Sequence, residues 1–322
     1  MKAIHFNNRL SLLDDYPIPA RIGDELLIRV SSAGICNTDM EITRGYVRNF
    51  SGIPGHEFIG TVESVPNPVY NHLLGKRVTA EINCGCGNCS YCRQGLSRHC
   101  PDRTVVGIVN RNGAFAEYIA VPVDNVVPIP DFISDSNALF IEPLAAALEI
   151  QEQIEITPSQ TVLLLGDGKL AHLIALSLKP IGVKLTVAGK HEWKTELLRD
   201  RGIDAAVDRQ DLINGSFDIV IEASGSPAAF QEGLAKVRPR GTLILKSTYA
   251  NSFSFNPAGI VVNEFTLLGS RCGKLTSAID FLETERPDLS YLISRRFPLS
   301  EGIVAFEAAR QSDVLKVVID CR

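Results

Sequence analysis

The chain has 322 residues, of which 45% are hydrophobic and 21% charged, and its formal net charge is −5. This length predicts two domains of ordinary globular composition, and the negative charge offers no basic surface for nucleic acid or an anionic membrane. The first twenty residues include Asp14 and Asp15 and lack the pattern of a secretory signal. No apolar run reaches membrane-spanning length. We therefore expect a cytoplasmic protein that binds neither nucleic acid nor membrane.

The first half of the chain alternates apolar and polar residues over short segments broken by Gly, Pro and Asn, which is typical of strands. The predicted strands cover 2–6, 25–30, 58–65, 76–82, 104–109 and 114–121. Pro17 and Pro19 separate the first two, and we expect an antiparallel, hairpin-like start. Together these segments predict an irregular, barrel-like β domain.

Two short motifs in this β-rich half carry residues that bind metals. The first is Cys36-Asn37-Thr38-Asp39 and the second is Gly55-His56-Glu57. A thiolate, an imidazole and a nearby carboxylate can hold a catalytic zinc that keeps one position open. A single buried Cys or His is usually an ordinary core residue, but two ordered motifs favour a metal site.

A cluster of cysteines follows, with five of the eight lying between Cys84 and Cys100. Cys86, Cys89, Cys92 and Cys100 have the spacing C-x2-C-x2-C-x7-C. Four thiolates on a tight loop predict a closed, structural zinc site. Two disulfides are the competing interpretation, although cysteines three residues apart pair poorly and the expected compartment is reducing. A shifted quartet that includes Cys84 stays open.

The composition changes at the apolar run 161–165, which is typical of a parallel strand buried on both faces. The next residues are Gly166-Asp167-Gly168-Lys169-Leu170-Ala171, and a G-x-G-x-x-A pattern between a strand and a helix indicates dinucleotide binding. Alternating elements downstream predict a six-stranded, doubly wound parallel sheet. They are helix 170–178, strand 183–188, helix 192–201, strand 205–207, strand 217–222, helix 227–237, strand 241–247 and strand 265–268. The end of the chain predicts a helix and two strands, 292–297 and 314–319, that return to the first domain.

These motifs, in this order, resemble the zinc-dependent medium-chain alcohol and polyol dehydrogenases over nearly the whole chain. The resemblance implies an α/β protein with a β-rich, GroES-like catalytic domain over 1–145 and 272–322. It implies a Rossmann dinucleotide-binding domain, a doubly wound parallel sheet, over 146–271. It further implies hydride transfer between a small-molecule alcohol or polyol, or its carbonyl, and NAD(P), in a homodimer or homotetramer.

The resemblance also implies roles at the catalytic metal. Cys36 and His56 would bind zinc, Thr38 would begin a proton relay, and Asp39 would hold His56 in place. A histidine commonly ends this relay in the family. Here Met40-Glu41 stands in that stretch, so Glu41 or water would take the role.

The third protein ligand of the catalytic zinc is left open between Glu57 and Glu142. In the polyol branch Glu-Pro stands where other members have a ligand cysteine, and this chain has Glu142-Pro143. The resemblance thus implies that Glu142 is either a direct ligand or the residue that anchors the metal-bound water. An ordinary carboxylate in the first turn of a helix is the alternative interpretation. Lys316 resembles a recurrent family lysine, although solvation at the surface explains it equally well.

The cofactor is expected along the carboxyl ends of the parallel strands. Gly189 falls where NAD enzymes usually carry the Asp or Glu that binds the ribose 2′-hydroxyl, and basic residues follow it. We therefore predict NADP over NAD, with Glu192 or Glu196 turning back to the ribose as the alternative. The predicted cofactor-binding residues are Gly166, Gly168, Leu170, Gly189, Lys190, Lys194, Ser224, Gly225 and Arg271.

Two other classes of protein stay open. One is a non-catalytic dinucleotide-binding protein that keeps zinc only for structure, which the intact Cys36, Thr38, His56 and Glu57 disfavour. The other is the zinc-free quinone or enoyl reductase branch, which has no use for the cysteine cluster. The substrate is not specified, although Asn110 and Arg111 suggest a polar or anionic one.

Overall fold

The structure is a computed structural model that describes residues 1–207, 211–249 and 252–322. The described chain forms two compact units, Met1–Glu142 with Ala278–Arg322, and Pro143–Ser277. No described helix combines the length and the apolar character needed to cross a membrane.

The elements in chain order are as follows. The strands are β1 (Ala3–Asn7), β2 (Arg9–Leu13), β3 (Glu25–Gly34), β4 (Ser51–Gly52), β5 (Glu57–Ser64), β6 (Arg77–Ala80), β7 (Asn83–Cys84), β8 (Thr104–Val105), β9 (Tyr118–Pro122), β10 (Val126–Pro128), β11 (Thr161–Leu165), β12 (Lys184–Gly189), β13 (Asp204–Val207), β14 (Phe217–Glu222), β15 (Val237–Leu245), β16 (Thr266–Gly269), β17 (Ile293–Pro298) and β18 (Lys316–Asp320). The helices are α1 (Asn37–Ile42), α2 (Ser90–Arg93), α3 (Asp135–Ala138), α4 (Ile141–Gln153), α5 (Lys169–Leu178), α6 (Glu192–Arg199), α7 (Pro227–Lys236), α8 (Ala258–Asn263), α9 (Leu275–Glu285) and α10 (Gly302–Ala308).

A seven-stranded sheet holds the first unit together, in the order β10-β6-β5-β3-β18-β17, with β9 also paired to β3. The long strand β3 is central, because it pairs antiparallel with β5, β9 and β18. Gly34 at its end is paired with Glu57 on one side and Val318 on the other. The chain after β3 therefore lies beside the start of β5, which brings the first two sequence motifs together.

Buried phenylalanine rings form part of the core of the first unit. Phe115 and Phe306 are fully buried and meet edge to face, with 5.4 Å between ring centroids and an interplanar angle of 84°. Phe58 and Phe140 are also fully buried. Such edge-to-face pairs contribute beyond the area that they bury.

Several details of the predicted β domain are wrong. The first strand forms its hairpin with β2, not with 25–30, because Asn8 turns the chain with φ of 58°. The predicted strand 104–109 is reduced to the two residues of β8, since the chain turns at Gly107, where φ is 66°. The predicted strand 114–121 begins only at Tyr118. The last two strands are parallel, and α10 connects them, because a parallel pair needs a crossover.

The second unit contains the predicted doubly wound sheet. Among the described residues its six strands are all parallel, in the order β13-β12-β11-β14-β15-β16. This is the 3-2-1-4-5-6 order of the dinucleotide-binding fold, so the predicted fold class is confirmed. The register sets Leu165 beside both Ala188 and Glu222. The residues that follow these three strands therefore meet at one edge of the sheet.

The core of the second unit explains why its strands are continuous apolar runs. In the central strands β11 and β14, successive side chains on both faces of the sheet are mostly buried. The buried residues of one core cluster are Leu163, Leu165, Leu212, Phe217, Val220, Phe230, Val237, Leu243 and Phe265.

Candidate active site and metal centres

Cys36, His56 and Glu57 lie together in the first unit, as their two motifs predict. Cys36 precedes α1, whereas His56 and Glu57 stand at the start of β5. Their ligand atoms all lie within 4.8 Å of one another. His56 and Glu57 are buried, and Cys36 is partly exposed. A soft thiolate, an imidazole and a carboxylate at this spacing form a donor set suited to zinc.

Asp39 connects the two loops that carry these ligands. It is fully buried, and its Oδ2 accepts a hydrogen bond from the Cys36 N–H at 2.8 Å. Its Oδ1 accepts one from the Gly55 N–H at 3.2 Å and lies 3.2 Å from His56 Nδ1. Burial opposes protonation of His56, but the Asp39 charge raises the pKa of His56 well above its ordinary value. A carboxylate on the remaining ring nitrogen is the usual way to orient a metal-binding histidine.

Thr38 and Glu41, the two predicted members of the proton relay, lie in α1. The sulfur of Cys36 is 3.7 Å from Thr38 Oγ1, so the hydroxyl lies beside the thiol. Glu41 instead forms an ion pair with Arg44, with 2.6 Å between Oε1 and Nη1. That pair occupies one oxygen of the carboxylate that was considered as the end of the relay.

Lys316 is a buried residue of this site, so the interpretation as a solvated surface lysine is wrong. Its side chain is fully buried, and its Nζ contacts Oε2 of Glu57. The other Glu57 oxygen, Oε1, makes no hydrogen bond within the described part of the chain. A buried carboxylate oxygen without a donor needs a further positive partner, and a metal ion meets that need.

Glu142 begins the long helix α4 and is half-buried. Burial raises the pKa of Glu142 to about 7, which the charge of His56 opposes and that of Glu57 reinforces. Glu142 therefore interacts electrostatically with the site. Among the described residues, however, the group of ligand atoms within 4.8 Å contains Glu57 and not Glu142.

Cys86, Cys89, Cys92 and Cys100 form a second group, with all four sulfurs within 4.8 Å of one another. Cys89 caps α2 by accepting the Cys92 N–H at 3.4 Å, and the Cys100 sulfur accepts the Cys86 N–H at 3.4 Å. Hydrogen bonds from the backbone of Asn88 and Cys89 lower the pKa of Cys86 to about 7. Removal from water raises that of Cys92 to about 11. None of the four forms a disulfide.

The alternative quartet that includes Cys84 does not form. Cys84 is buried in β7, and burial raises the pKa of its thiol. Its sulfur is outside the group of four. The structure thus favours the quartet that the spacing predicts, with Cys84 as a core residue.

Gly166 and Gly168 lie at the turn between β11 and α5. Gly166 has φ of 131°, and a Cβ there would lie 3.0 Å from the Ala223 carbonyl group. Gly168 caps α5, and a Cβ there would meet nothing within 4 Å. Ala171 is fully buried, and Leu170 in the first turn is half-buried. Open space beside a helix N-terminus suits a pyrophosphate group.

Ser224 and Gly225 follow β14 and are held by Glu222, which the sequence did not indicate. Glu222 is fully buried, and its Oε1 accepts hydrogen bonds from the N–H groups of both residues at 2.7 and 3.0 Å. Tyr249 donates its hydroxyl to the other oxygen at 2.6 Å. Arg271 follows β16 and is exposed, and its carbonyl accepts a hydrogen bond from Lys246 at 2.9 Å.

Gly189 ends β12, followed by the exposed Lys190, while Lys194 is buried in α6. The prediction of NADP assumed that no carboxylate stands at this place, and that premise is wrong. The side chain of Asp167, from the loop after β11, accepts hydrogen bonds from the Lys190 and His191 N–H groups. The sequence signal for this carboxylate is the acidic residue inside the G-x-G motif.

Arg111, suggested as a substrate contact, has a structural partner. Its Nη1 lies 2.5 Å from Glu25 Oε1, and its Nε donates to Thr104 Oγ1 at 3.0 Å. Glu25 is buried, so Arg111 supplies the counter-charge that a buried carboxylate requires.

The second unit has a dinucleotide-type parallel sheet, and the first unit gathers Cys, His and Glu side chains at one place. Residues 23–131 match the family model of the alcohol dehydrogenase GroES-like domain, and residues 170–284 match that of the zinc-binding dehydrogenases. The two segments together cover more than half of the chain. The chain therefore belongs to the zinc-type medium-chain dehydrogenases, as its motifs predict.

Individual relatives are similar to this chain over nearly its full length. Sorbitol dehydrogenase of Bacillus subtilis is 29% identical, over 98% of this chain and 96% of its own. An alcohol dehydrogenase structure from Escherichia coli CFT073, complexed with NADH, has a TM-score of 0.90 and 27% identity, covering 99% of both chains. A zinc-binding dehydrogenase structure from Sinorhizobium meliloti, bound to NADP, has a TM-score of 0.89 and 26% identity, covering 99% and 98%.

Proposed function

We propose that this chain is a zinc-dependent, NAD(P)-linked dehydrogenase that interconverts an alcohol or polyol and its carbonyl compound. One observation carries the proposal: Cys36, His56 and Glu57 present their ligand atoms within 4.8 Å of one another. Their surroundings add support, because Oε1 of Glu57 is buried and lacks a hydrogen-bond donor among the described residues. Membership of the family indicates the class of enzyme, which is an oxidoreductase.

The residues of this site would divide the work as follows. Cys36 and His56 would hold the zinc, which lowers the pKa of a hydroxyl and polarises a carbonyl. Asp39 would keep His56 oriented, as its 3.2 Å approach to Nδ1 allows. Thr38 would accept the proton of the substrate hydroxyl and pass it toward solvent, by way of water because Glu41 is paired with Arg44.

Glu57 is our choice as the carboxylate that completes the catalytic zinc site. It belongs to the compact group, and Lys316 balances one of its oxygens. Burial raises the pKa of Glu142 to about 7, so this carboxyl group would be partly protonated near neutral pH. Glu142 would lie beside the zinc ligands and would not be one of them. The four clustered cysteines would bind a second, structural zinc, because four thiolates leave no open position.

We infer the roles of the two units from the same residues. The first unit, with both groups of ligands, would be the catalytic domain, and the second would bind the dinucleotide. Gly166, Gly168 and Leu170 would contact the pyrophosphate, while Ser224, Gly225 and Arg271 would line the cofactor further along the strand ends. A homodimer or homotetramer, as the resemblance implies, is part of the proposal.

The substrate class is proposed as a polyol or a related small alcohol, on the similarity to sorbitol dehydrogenase. Whether NAD or NADP is preferred depends on the surroundings of Gly189, and the two solved relatives carry NADH and NADP respectively. The preference for NADP predicted from the sequence is not part of this proposal, because a carboxylate does stand beside Gly189.

The test is the reduction of NAD and NADP with a panel of polyols, simple alcohols and quinones, before and after zinc is removed by a chelator. We expect turnover of at least one alcohol, lost on chelation and restored by zinc. Alcohol turnover that survives complete zinc removal would contradict the proposal. Dinucleotide binding without any turnover would favour the non-catalytic alternative, and quinone reduction without zinc would favour the reductase branch.

A further inference from the structure

The carboxylate of Asp167 lies against the end of β12 and binds two successive N–H groups there. Its Oδ2 accepts hydrogen bonds from the Lys190 N–H and the His191 N–H, both at 2.6 Å. The His191 ring completes the contact, with Nδ1 at 3.0 Å from Oδ2 and 3.2 Å from Oδ1. The Asp167 side chain is 8% exposed, so this is a fixed and largely buried charge.

This place is where a doubly wound sheet binds the adenosine ribose. In that fold a carboxylate at the end of the second strand accepts a hydrogen bond from the ribose 2′-hydroxyl. The second strand here is β12, which pairs with β11 so that Leu165 is opposite Ala188. Asp167 is two residues beyond β11 and therefore reaches the residues that follow β12. The carboxylate arrives from the neighbouring loop and not from β12 itself.

The space beside the Gly189 Cα is occupied by the side chains of Asp167 and Thr195. A Cβ at Gly189 would lie 2.5 Å from Thr195 Cγ2 and 2.9 Å from Asp167 Cβ. Both distances are shorter than van der Waals contact allows, so no larger residue fits without displacing its neighbours. The glycine and the aspartate thus act as a pair, in which the missing side chain of one makes space for the other.

The charge of Asp167 is secure at neutral pH. Burial alone would raise its pKa, but the N–H groups of Lys190 and His191 stabilise the ionised form and hold the pKa below its ordinary value. Among the described residues, Oδ2 has three contacts, whereas Oδ1 has only the His191 ring at 3.2 Å. Since each carboxylate oxygen has two lone pairs, Oδ1 can still accept a hydroxyl.

A 2′-phosphate group in place of the 2′-hydroxyl would be bound unfavourably here. Successive backbone N–H groups are anion-binding sites, but those of Lys190 and His191 already bind Asp167. The phosphate would also face a fixed negative charge. Lys194, expected from the sequence to contact it, is 7% exposed, with its Nζ 5.2 Å from the Trp193 ring centroid. Of the two lysines predicted near Gly189, Lys190 and Lys194, only Lys190 is exposed.

We propose that Asp167 is the specificity-determining residue for the adenosine ribose and makes the chain prefer NAD over NADP. The proposal rests on the dinucleotide-binding function proposed above and reverses the preference predicted from Gly189 and the lysines. It assigns to a residue inside the glycine motif the task that usually belongs to the end of the second strand.

The test measures binding without chemistry, using ADP-ribose and 2′-phospho-ADP-ribose in titration calorimetry at one fixed ionic strength. These fragments lack nicotinamide, so neither zinc nor turnover affects the result. We expect the unmodified chain to bind ADP-ribose at least about tenfold more tightly, the effect of one charge-assisted hydrogen bond. Equal binding, or tighter binding of the phosphorylated fragment, would overturn the proposal.

The variant Asp167→Asn keeps the shape of the side chain and removes its charge. We expect the dissociation constant of 2′-phospho-ADP-ribose divided by that of ADP-ribose to fall by about tenfold. The matched control is Asp218→Asn. Asp218 also accepts a backbone N–H, from Thr161 at 2.7 Å, but it stands near the start of β14 at the opposite edge of the sheet. The control should leave the ratio unchanged.

An unchanged ratio in Asp167→Asn would overturn the assignment to Asp167, even if NAD is preferred. Should Asp167→Asn not fold, the ratio measured for the unmodified chain alone still decides the preference. A chain that binds neither fragment would overturn the proposed dinucleotide-binding function itself, and this proposal with it. Failure of the two proposals is therefore distinguishable.

Discussion

Buried charges surround the proposed zinc ligands Cys36, His56 and Glu57, and each has a specific partner. Asp39 binds the Cys36 and Gly55 N–H groups and approaches His56, whereas Lys316 contacts Glu57. Isolated charges in a protein interior are costly, so such groups persist only in pairs or with a metal. The arrangement holds the ligand atoms in place before any metal binds, which is what a catalytic metal site requires.

Replacing Lys316 with Met should destabilise the fold strongly. The variant leaves the Glu57 carboxylate buried without its ammonium partner, and breaking a buried ion pair in this way costs roughly 3–5 kcal/mol. The free energy of unfolding, measured in urea on chelator-treated protein so that no metal replaces the lost charge, should fall by that amount. Lys76→Met, at an exposed lysine, is the control and should change stability by less than about 0.5 kcal/mol.

The double variant Lys316→Met/Glu57→Gln removes both charges and should recover part of the loss, because no unpaired charge then remains. A Lys316→Met protein with the stability of the Lys76→Met control would show that the pair with Glu57 contributes nothing.

At the scale of elements, we infer that the segment from Cys86 to Cys100 depends on metal binding by its thiolates more than on packing. The short helix α2 within it has no buried residue, so little apolar surface holds the segment together. Metal binding supplies the missing free energy in such small lobes. The structure of the lobe and the binding of its metal should therefore be lost together.

Cys92→Ser should remove the zinc of this lobe and lower the stability of the protein by a few kcal/mol, as loss of a structural metal does. Binding of ADP-ribose should persist, because the dinucleotide fingerprint lies in the other unit. Zinc content, thermal unfolding and calorimetry on the same preparation provide the measurements. Cys84→Ala, at a buried cysteine outside the quartet, should keep all its zinc; unchanged zinc in Cys92→Ser as well would rule out a closed four-thiolate site.

Most elements of the second unit were predictable, because local sequence is enough to identify buried parallel strands and their helices, although α4 and α8 were not predicted. Apolar runs such as Thr161–Leu165 and the glycine turn after it leave few alternatives. The β unit was harder. Its turns depend on single residues such as Asn8 and Gly107, whose positive φ values the alternation of apolar residues does not reveal.

The ligands of the site were predictable from motifs, whereas their partners were not. Lys316 is far from Glu57 in sequence, and the two residues meet because β18 and β5 both pair with β3. Asp167 and His191 likewise meet because β11 and β12 are neighbours. Long-range contacts of this kind follow from topology, and a single sequence read locally does not contain them.

At the scale of the whole molecule, the chain has two groups of side chains that could bind a metal, and the two groups differ in chemical character. Four thiolates close one group, while the other has a thiolate, an imidazole and a carboxylate and can leave a coordination position open. The account therefore requires two zinc ions per chain with distinct roles. Only the second group is expected to support turnover.

The most direct test is the zinc content of the purified chain and of Cys36→Ser, determined by elemental analysis alongside alcohol oxidation. The account predicts two zinc ions in the unmodified chain. In the variant it predicts one, with nearly all turnover lost and the circular dichroism spectrum and ADP-ribose binding retained. If Cys36→Ser kept both ions and its activity, Cys36 would not be a ligand of the catalytic zinc and the central claim would be wrong.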